Sequence, residues 1–160
     1  MDFVEGEILA FDKPYRWTSF DVVGKARWLL CNRLGVKKLK VGHSGTLDPW
    51  ATGEVVVCTG KKTKWLDRLQ AHQKEYVATL QLGATTPSFD LEKEIDATYP
   101  TEHITRALID EVIPTFVGEQ WQVPPMFSAV KVDGKRAYQL ARQGEEVELK
   151  AKLLVIDEIE

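Results

Sequence analysis

Four consecutive apolar residues, Val55-Val56-Val57-Cys58, stand between Gly53 and Gly60. A run of that kind offers no polar side to water, so it predicts a buried strand over 54–58, closed by Gly60. The segment before it changes period. Val23, Ala26, Leu30 and Leu34 recur at helical spacing and predict a helix over 19–33. Thr18 with Asp21 three residues on resembles a capping box, and Gly35 marks the end. Upstream, Glu7-Ile8-Leu9-Ala10-Phe11 predicts a short strand stopped by Lys13-Pro14.

Downstream, residues 40–53 are glycine-rich and predict a loop, and 61–70 a short helix. Residues 75–83 alternate: Tyr76, Ala78, Leu80 and Leu82 share one side, and Val77, Thr79 and Gln81 the other. That predicts a strand with two distinct faces. Ile104, Leu108 and Val112 mark a helix ending near Pro114. Ala129 to Val132 predicts a strand entering a turn at Asp133-Gly134, followed by a short helix over 135–143 with Gly144 as its C-cap. Leu153 to Ile159 predicts a final strand. Strands and helices mix without strict βαβ alternation, so the class is α+β.

Composition bounds the rest. A length of 160 residues suits one domain with a real core, and 44% apolar with 28% charged residues is globular usage. No apolar stretch approaches the ~20 residues of a membrane span. The acidic N-terminus lacks the order of a signal peptide, so a cytoplasmic location is expected. Cys31 and Cys58 lie far apart without a CxxC pair, which predicts buried reduced thiols and neither a disulfide framework nor a zinc site. The chain ends just after the apolar run Leu153-Leu154-Val155-Ile156, which suggests a truncated chain or fragment.

The net charge of −3 gives no global support to nucleic-acid binding, but it hides a segregation. No acidic residue lies between Asp21 and Asp48, an interval holding Lys25, Arg27, Arg33, Lys37, Lys38, Lys40 and His43. Lys61, Lys62 and Lys64 follow. Carboxylates crowd 90–119, and Lys131, Lys135, Arg136 and Arg142 form a later basic group. Such a layout fits a polyanion docked on the basic segments, or an ordinary solvated surface.

Chemistry concentrates in Val41-Gly42-His43-Ser44-Gly45-Thr46-Leu47-Asp48-Pro49-Trp50-Ala51-Thr52-Gly53. Three glycines permit sharp bends and close approach of a ligand. The residues alone give one carboxylate and one imidazole in basic surroundings. Asp48-Pro49 is also a common turn, His43 a common packed residue, and a hydrolase using Asp48 with His43 stays open. The loop has no phosphate-loop pattern and no His/Cys cluster for a metal.

This segment resembles the catalytic signature of the TruB family of tRNA pseudouridine synthases. The likeness continues through Cys58-Thr59-Gly60-Lys61-Lys62-Thr63-Lys64, Lys74-Glu75-Tyr76 and Leu82-Gly83. It resumes at Gln122-Val123-Pro124-Pro125-Met126-Phe127-Ser128-Ala129-Val130-Lys131, Gly134-Lys135-Arg136-Ala137-Tyr138 and Ala141-Arg142-Gln143-Gly144. It implies a partial pseudouridine-synthase domain over 1–160, with a mixed, mainly antiparallel sheet flanked by helices and its C-terminal part missing. An RNA-gripping insertion would span about 124–152.

The implied reaction isomerises uridine to pseudouridine at position 55, in the T-arm of tRNA, with no cofactor and no metal. Asp48 would be the nucleophile, attacking either the anomeric carbon or the uracil ring. The target base must be flipped out, and Tyr76 would stack on it. His43, Lys13, Lys61, Lys64, Lys131, Lys135, Arg136 and Arg142 would contact RNA. The family's Thr-Asp-Thr-x-Asp pattern is reduced here to Thr85-Thr86-Pro87-Ser88-Phe89-Asp90. Its Gly-Thr-Tyr-Ile-Arg-like segment, whose arginine pairs with the aspartate, is absent. A tRNA-binding module without chemistry, or an inactive fragment, is therefore the alternative, and protein partners are left open.

Overall fold

Strand β3 (Gly53–Thr59) is hydrogen-bonded along both edges. The computed structural model in which it is seen describes residues 1–126, 128, 130–132, 134–137, 140, 143–144 and 148–160. These form two units, Met1–Val77 and Ala78–Glu160. In the first, β1 (Ile8–Lys13) runs antiparallel to β3 in the register Ile8↔Cys58 to Lys13↔Gly53. On the other edge β2 (Val41–His43) pairs antiparallel, Val41↔Thr59 to His43↔Val57. The loop expected over 40–53 thus begins with a three-residue strand. The free edge of a buried strand needs partners for its peptide groups, and Val41–His43 supplies them.

Helix α1 (Ser19–Leu34) covers this sheet. Val22 and Val23 of α1 cluster with Leu39, Val41, Val55 and Val57, and Phe11, Leu30, Cys31 and Leu47 pack around them. Enclosing a valine such as Val23 or Val57 contributes roughly 1.5–3 kcal/mol. Both ends of α1 are as the sequence predicts. Thr18 Oγ1 accepts the Asp21 N–H at 3.1 Å, and Asp21 Oδ2 accepts the Thr18 N–H at 2.8 Å. The Thr18 hydrogen bonds hold the Asp21 carboxyl below its ordinary value. Gly35 closes the helix at φ 65° with its N–H on the Asn32 carbonyl.

The helix predicted over 61–70 divides into a 3-10 segment, Gly60–Trp65, and one turn of α-helix, α2 (Leu66–Gln70). Thr63 Oγ1 donates to the Gly60 carbonyl at 2.9 Å, a side-chain bond back across the first turn. Gly60 itself has φ 53°, and a Cβ there would collide with the Val4 carbonyl oxygen. The N-terminal segment can close over the end of β3 only because that side chain is missing. Both cysteines are free, Cys58 buried and Cys31 half-buried, and burial pushes the Cys58 thiol up.

The strand expected over 75–83 does not form: residues 75–82 are exposed without regular structure, and Gly83, half-buried, lies in a turn. Period-2 alternation describes side chains, whereas a strand also needs a neighbour for its peptide groups. Among the described residues no ladder reaches this segment.

In the second unit β4 (Ala84–Thr85) pairs with β5 (Ala97–Thr98). Helix α3 (Arg106–Val112) is capped by Thr105 and runs into a 3-10 turn, Ile113–Phe116, which takes Pro114 at its start. Strand β6 (Gly118–Gln122) pairs antiparallel with β9 (Lys152–Ile156), the expected final strand. β6 had no sequence signal, because Gly-Glu-Gln-Trp-Gln carries little apolar pattern; the apolar run opposite recruits it. The predicted hairpin at Asp133-Gly134 appears as β7 (Lys131–Val132) against β8 (Lys135–Arg136). The helix expected over 135–143 starts later, with Ala137 and Leu140 helical and buried, while Tyr138, Gln139, Ala141 and Arg142 lie outside the described residues. The chain is α+β, and its described strand pairs are antiparallel.

Replacing Gly60 with alanine combines a left-handed backbone with a backbone clash, so Gly60→Ala is expected to lose at least ~2 kcal/mol of stability. Urea unfolding followed by circular dichroism measures it; a midpoint equal to the parent's would contradict the packing described.

Candidate active site

Residues 44–52 connect β2 to β3, so the polar, glycine-rich segment is the loop of a β-hairpin. Its first residue continues the ladder, Ser44 N–H to Val56 carbonyl at 3.0 Å. Asp48 lies near its middle, exposed to solvent. The Asp48 carbonyl accepts the Ala51 N–H at 3.0 Å, so the expected Asp-Pro turn is present.

The backbone on either side of Asp48 is held by the connection between β1 and α1 and by the first residue of α1. Leu47 N–H donates to Ser19 Oγ at 2.9 Å, and Ser19 Oγ is 3.4 Å from the Leu47 carbonyl. On the far side, Arg16 N–H donates to the Pro49 carbonyl at 2.7 Å. Arg16 reaches it with φ 67°, a left-handed conformation that costs a non-glycine residue about 1–2 kcal/mol. The rings of Tyr15 and Trp50 meet at 5.9 Å, tilted by 56°. Asp48 is thus an exposed carboxylate on an anchored main chain.

Lys13 supports this arrangement from beneath. Phe11 and Lys13 share the inward side of β1, and Lys13 is fully enclosed. Its Nζ donates to the Trp17 carbonyl at 2.7 Å and the Pro14 carbonyl at 3.2 Å. Burial pushes its ammonium below the ordinary lysine value, while the Asp48 and Asp21 carboxylates pull the other way. Lys13, expected from the resemblance to contact RNA, is enclosed here, with its ammonium turned onto the turn that grips the loop.

His43 ends β2, half-buried, with Nδ1 2.5 Å from the Gly45 carbonyl. A carbonyl only accepts, so Nδ1 carries a proton toward it, and among the described residues Nε2 has no hydrogen-bond partner. Tyr76 stands in the irregular segment after α2 with its side chain exposed. Lys64 is exposed, and Lys61, also exposed, is paired with Glu5 at 2.8 Å. They line a cleft of about 320 Å³ with Lys38 and Lys40. In the second unit the backbones of Lys131, Lys135 and Arg136 lie in the β7–β8 hairpin, and Arg142 lies outside the described residues. Among the described residues no cluster of His, Cys, Asp or Glu could hold a metal, and no helix is long and apolar enough to cross a membrane.

Sequence reasoning missed Ser19 and Arg16. Ser19 left a trace, since a second hydroxyl beside a good N-cap, Thr18, is surplus to the helix. Arg16 left none, because its backbone amide makes the contact.

Comparison with known proteins places these features in a family. A family model described as TruB family pseudouridylate synthase (N terminal domain) matches residues 32–160. The chain is 69% identical over 160 residues to tRNA pseudouridine synthase B of Phocaeicola vulgatus, covering 100% of this chain and 68% of that protein. It is 70% identical to the protein of the same name in Bacteroides fragilis, covering 100% of this chain and 69% of that one. A chain of a crystallised Cbf5-Nop10-Gar1 complex is 26% identical with a TM-score of 0.48, over 81% of this chain and 32% of that one.

Because Lys13 is held below its ordinary value, the unfolded chain binds its proton more tightly than the folded chain does. Stability is thus expected to rise with pH from the lowered folded value up to the ordinary lysine range. Lys13→Met should remove that alkaline rise, as read from urea midpoints of both proteins across the window. Parallel pH curves would contradict the burial of a charged lysine.

Proposed function

The chain belongs to the TruB family of pseudouridylate synthases, and on that premise we propose that its protein converts a T-arm uridine of tRNA into pseudouridine with Asp48 as nucleophile. The observation that carries this reading is the anchoring of Leu47 and Pro49 on either side of an exposed Asp48. A nucleophile needs an accessible carboxylate in a fixed direction, and a surface turn without chemistry needs neither.

The reaction breaks the bond from the ribose anomeric carbon to N1 of uracil and forms one from that carbon to C5. C5 gives up a proton and N1 gains one, so the step is an isomerisation that consumes no cofactor. The base must leave its stack, and Tyr76 offers an exposed aromatic face to replace the lost neighbours. With Nδ1 directed at the Gly45 carbonyl, His43 keeps its Nε2 side free to meet a hydroxyl of the displaced strand.

Backbone phosphates would be met by the cleft of Lys38, Lys40, Lys61 and Lys64. It lies at the Gly60 end of β3, whereas the Asp48 loop joins at the Gly53 end, ~20 Å away along the strand. The hairpin carrying Lys131, Lys135 and Arg136, with Arg142 beyond it, would grip RNA within an insertion at 124–152 of a catalytic domain that includes residues 1–160.

Asp48→Asn is expected to abolish pseudouridine formation in a tritium-release assay on T-arm RNA while leaving the RNA dissociation constant within about twofold. Normal turnover by that variant would remove Asp48 from the chemistry, and a tRNA-binding module would then fit better. Lys38→Glu with Lys40→Glu, and separately Lys135→Glu with Arg136→Glu, should weaken binding across tRNA sequences. For every cation taken away from a phosphate, the slope of log K against log salt should flatten by roughly 1. An unaltered slope would show that these groups meet no phosphate.

A further inference from the structure

We infer that Ser19 is a positioning residue for Asp48, acting through the backbone of Leu47; this rests on the reading of Asp48 as the nucleophile. The loop from Ser44 to Thr52 has nine residues between paired strand ends, enough for a flexible connection to sample many conformations. One hydroxyl narrows them. Ser19 Oγ accepts the Leu47 N–H at 2.9 Å and lies 3.4 Å from the Leu47 carbonyl, within reach to donate its own proton. Both peptide groups that flank Leu47 Cα are thereby oriented, and the second leads directly into Asp48.

Two further observations give Ser19 this role. Its side chain is 1% exposed, so bulk water does not compete for Leu47. Deleting one oxygen leaves a void smaller than the volume a water molecule occupies, so no solvent replaces the contact. And α1 does not need this hydroxyl, because Thr18 and Asp21 already form the capping box. Ser19 stands at the first helical position, where alanine is an excellent helix former. Its hydroxyl serves the loop and not its own helix.

The Lys13–Ser19 segment makes the anchor stiff. Lys13 Nζ ties the Pro14 and Trp17 carbonyls together, and the capping box fixes the residue that follows. Arg16 holds Pro49 through its amide. Ser19 is the one side chain in this grip that touches the residue next to Asp48, which makes it the place where positioning separates from folding.

The experiment uses the protein as encoded, with Ser19→Ala, Ser19→Cys and Ser19→Thr assayed on T-arm RNA. In the alanine variant kcat should fall about tenfold to a hundredfold, the scale of a small misplacement. The RNA dissociation constant should stay within about twofold. Hydrogen exchange should quicken at the Leu47 amide and stay slow at Val55 and Val57. Ser19→Thr, which keeps the hydroxyl, should recover most of the turnover. Should alanine prevent folding, cysteine, which keeps the space filled and exchanges the hydroxyl for a weakly bonding thiol, carries the same test. Parental kcat with a fast Leu47 amide would overturn the proposal, as would a Leu47 amide that exchanges no faster. So would acceleration of all three amides together, which would show a merely structural serine. Normal turnover by Asp48→Asn would instead sink the nucleophile assignment, while the Leu47 exchange would still report on the clamp.

Discussion

Every peptide group of a buried strand must find a partner inside the protein, and in β3 that demand is met on two sides at once. β1 takes one edge over six residues and β2 the other over three. The antiparallel pairing of β2 with β3 forces the chain between them to reverse, and the reversal is the loop that carries Asp48. The pairing of Lys13 with Gly53 brings the start of the Lys13–Ser19 segment beside the same loop's far end. The site is therefore a consequence of how one apolar strand is satisfied.

Charge is handled differently at the two ends of that strand. At the Gly53 end one ammonium, Lys13, is enclosed and bonded to carbonyls, where its field acts over a short range in a poorly screened setting. At the Gly60 end lysines stand in solvent around an open cleft, and the Lys61–Glu5 pair there is exposed and worth little to stability. The first lysine is part of the packing of the protein; the others face solvent. A count of basic residues along the sequence treats them alike.

That contrast marks what the sequence can and cannot disclose. Helix α1 was legible to within a residue, because its apolar spacing, capping box and terminal glycine are local signals that agree. β1 and β3 were legible for the same reason. The strand expected over 75–83 was not, since alternation records side-chain preference and carries no word on whether a neighbouring strand is present. β6 went unseen for the converse reason: its partner, β9, holds the apolar residues. At the candidate site, residue types gave only one carboxylate and one imidazole in a glycine-rich loop; it was the likeness of that loop to a family signature that singled out Asp48 and His43. The grip of Arg16 on Pro49 is made by main chain alone and leaves no mark in residue identity.

The contact between Ser19 and Leu47 joins residues 28 positions apart, and the β1–β3 ladder closes a longer span still, from Ile8 to Cys58. Contacts so distant along the chain form late, after the entropy of closing the intervening loop has been met. During synthesis, β1 and α1 leave the ribosome with their partners still unmade. The arrangement around Asp48 comes into being only once β3 has emerged and docked. Core formation and assembly of the site are then a single event, and a chain interrupted before Thr59 carries the loop's residues without its geometry.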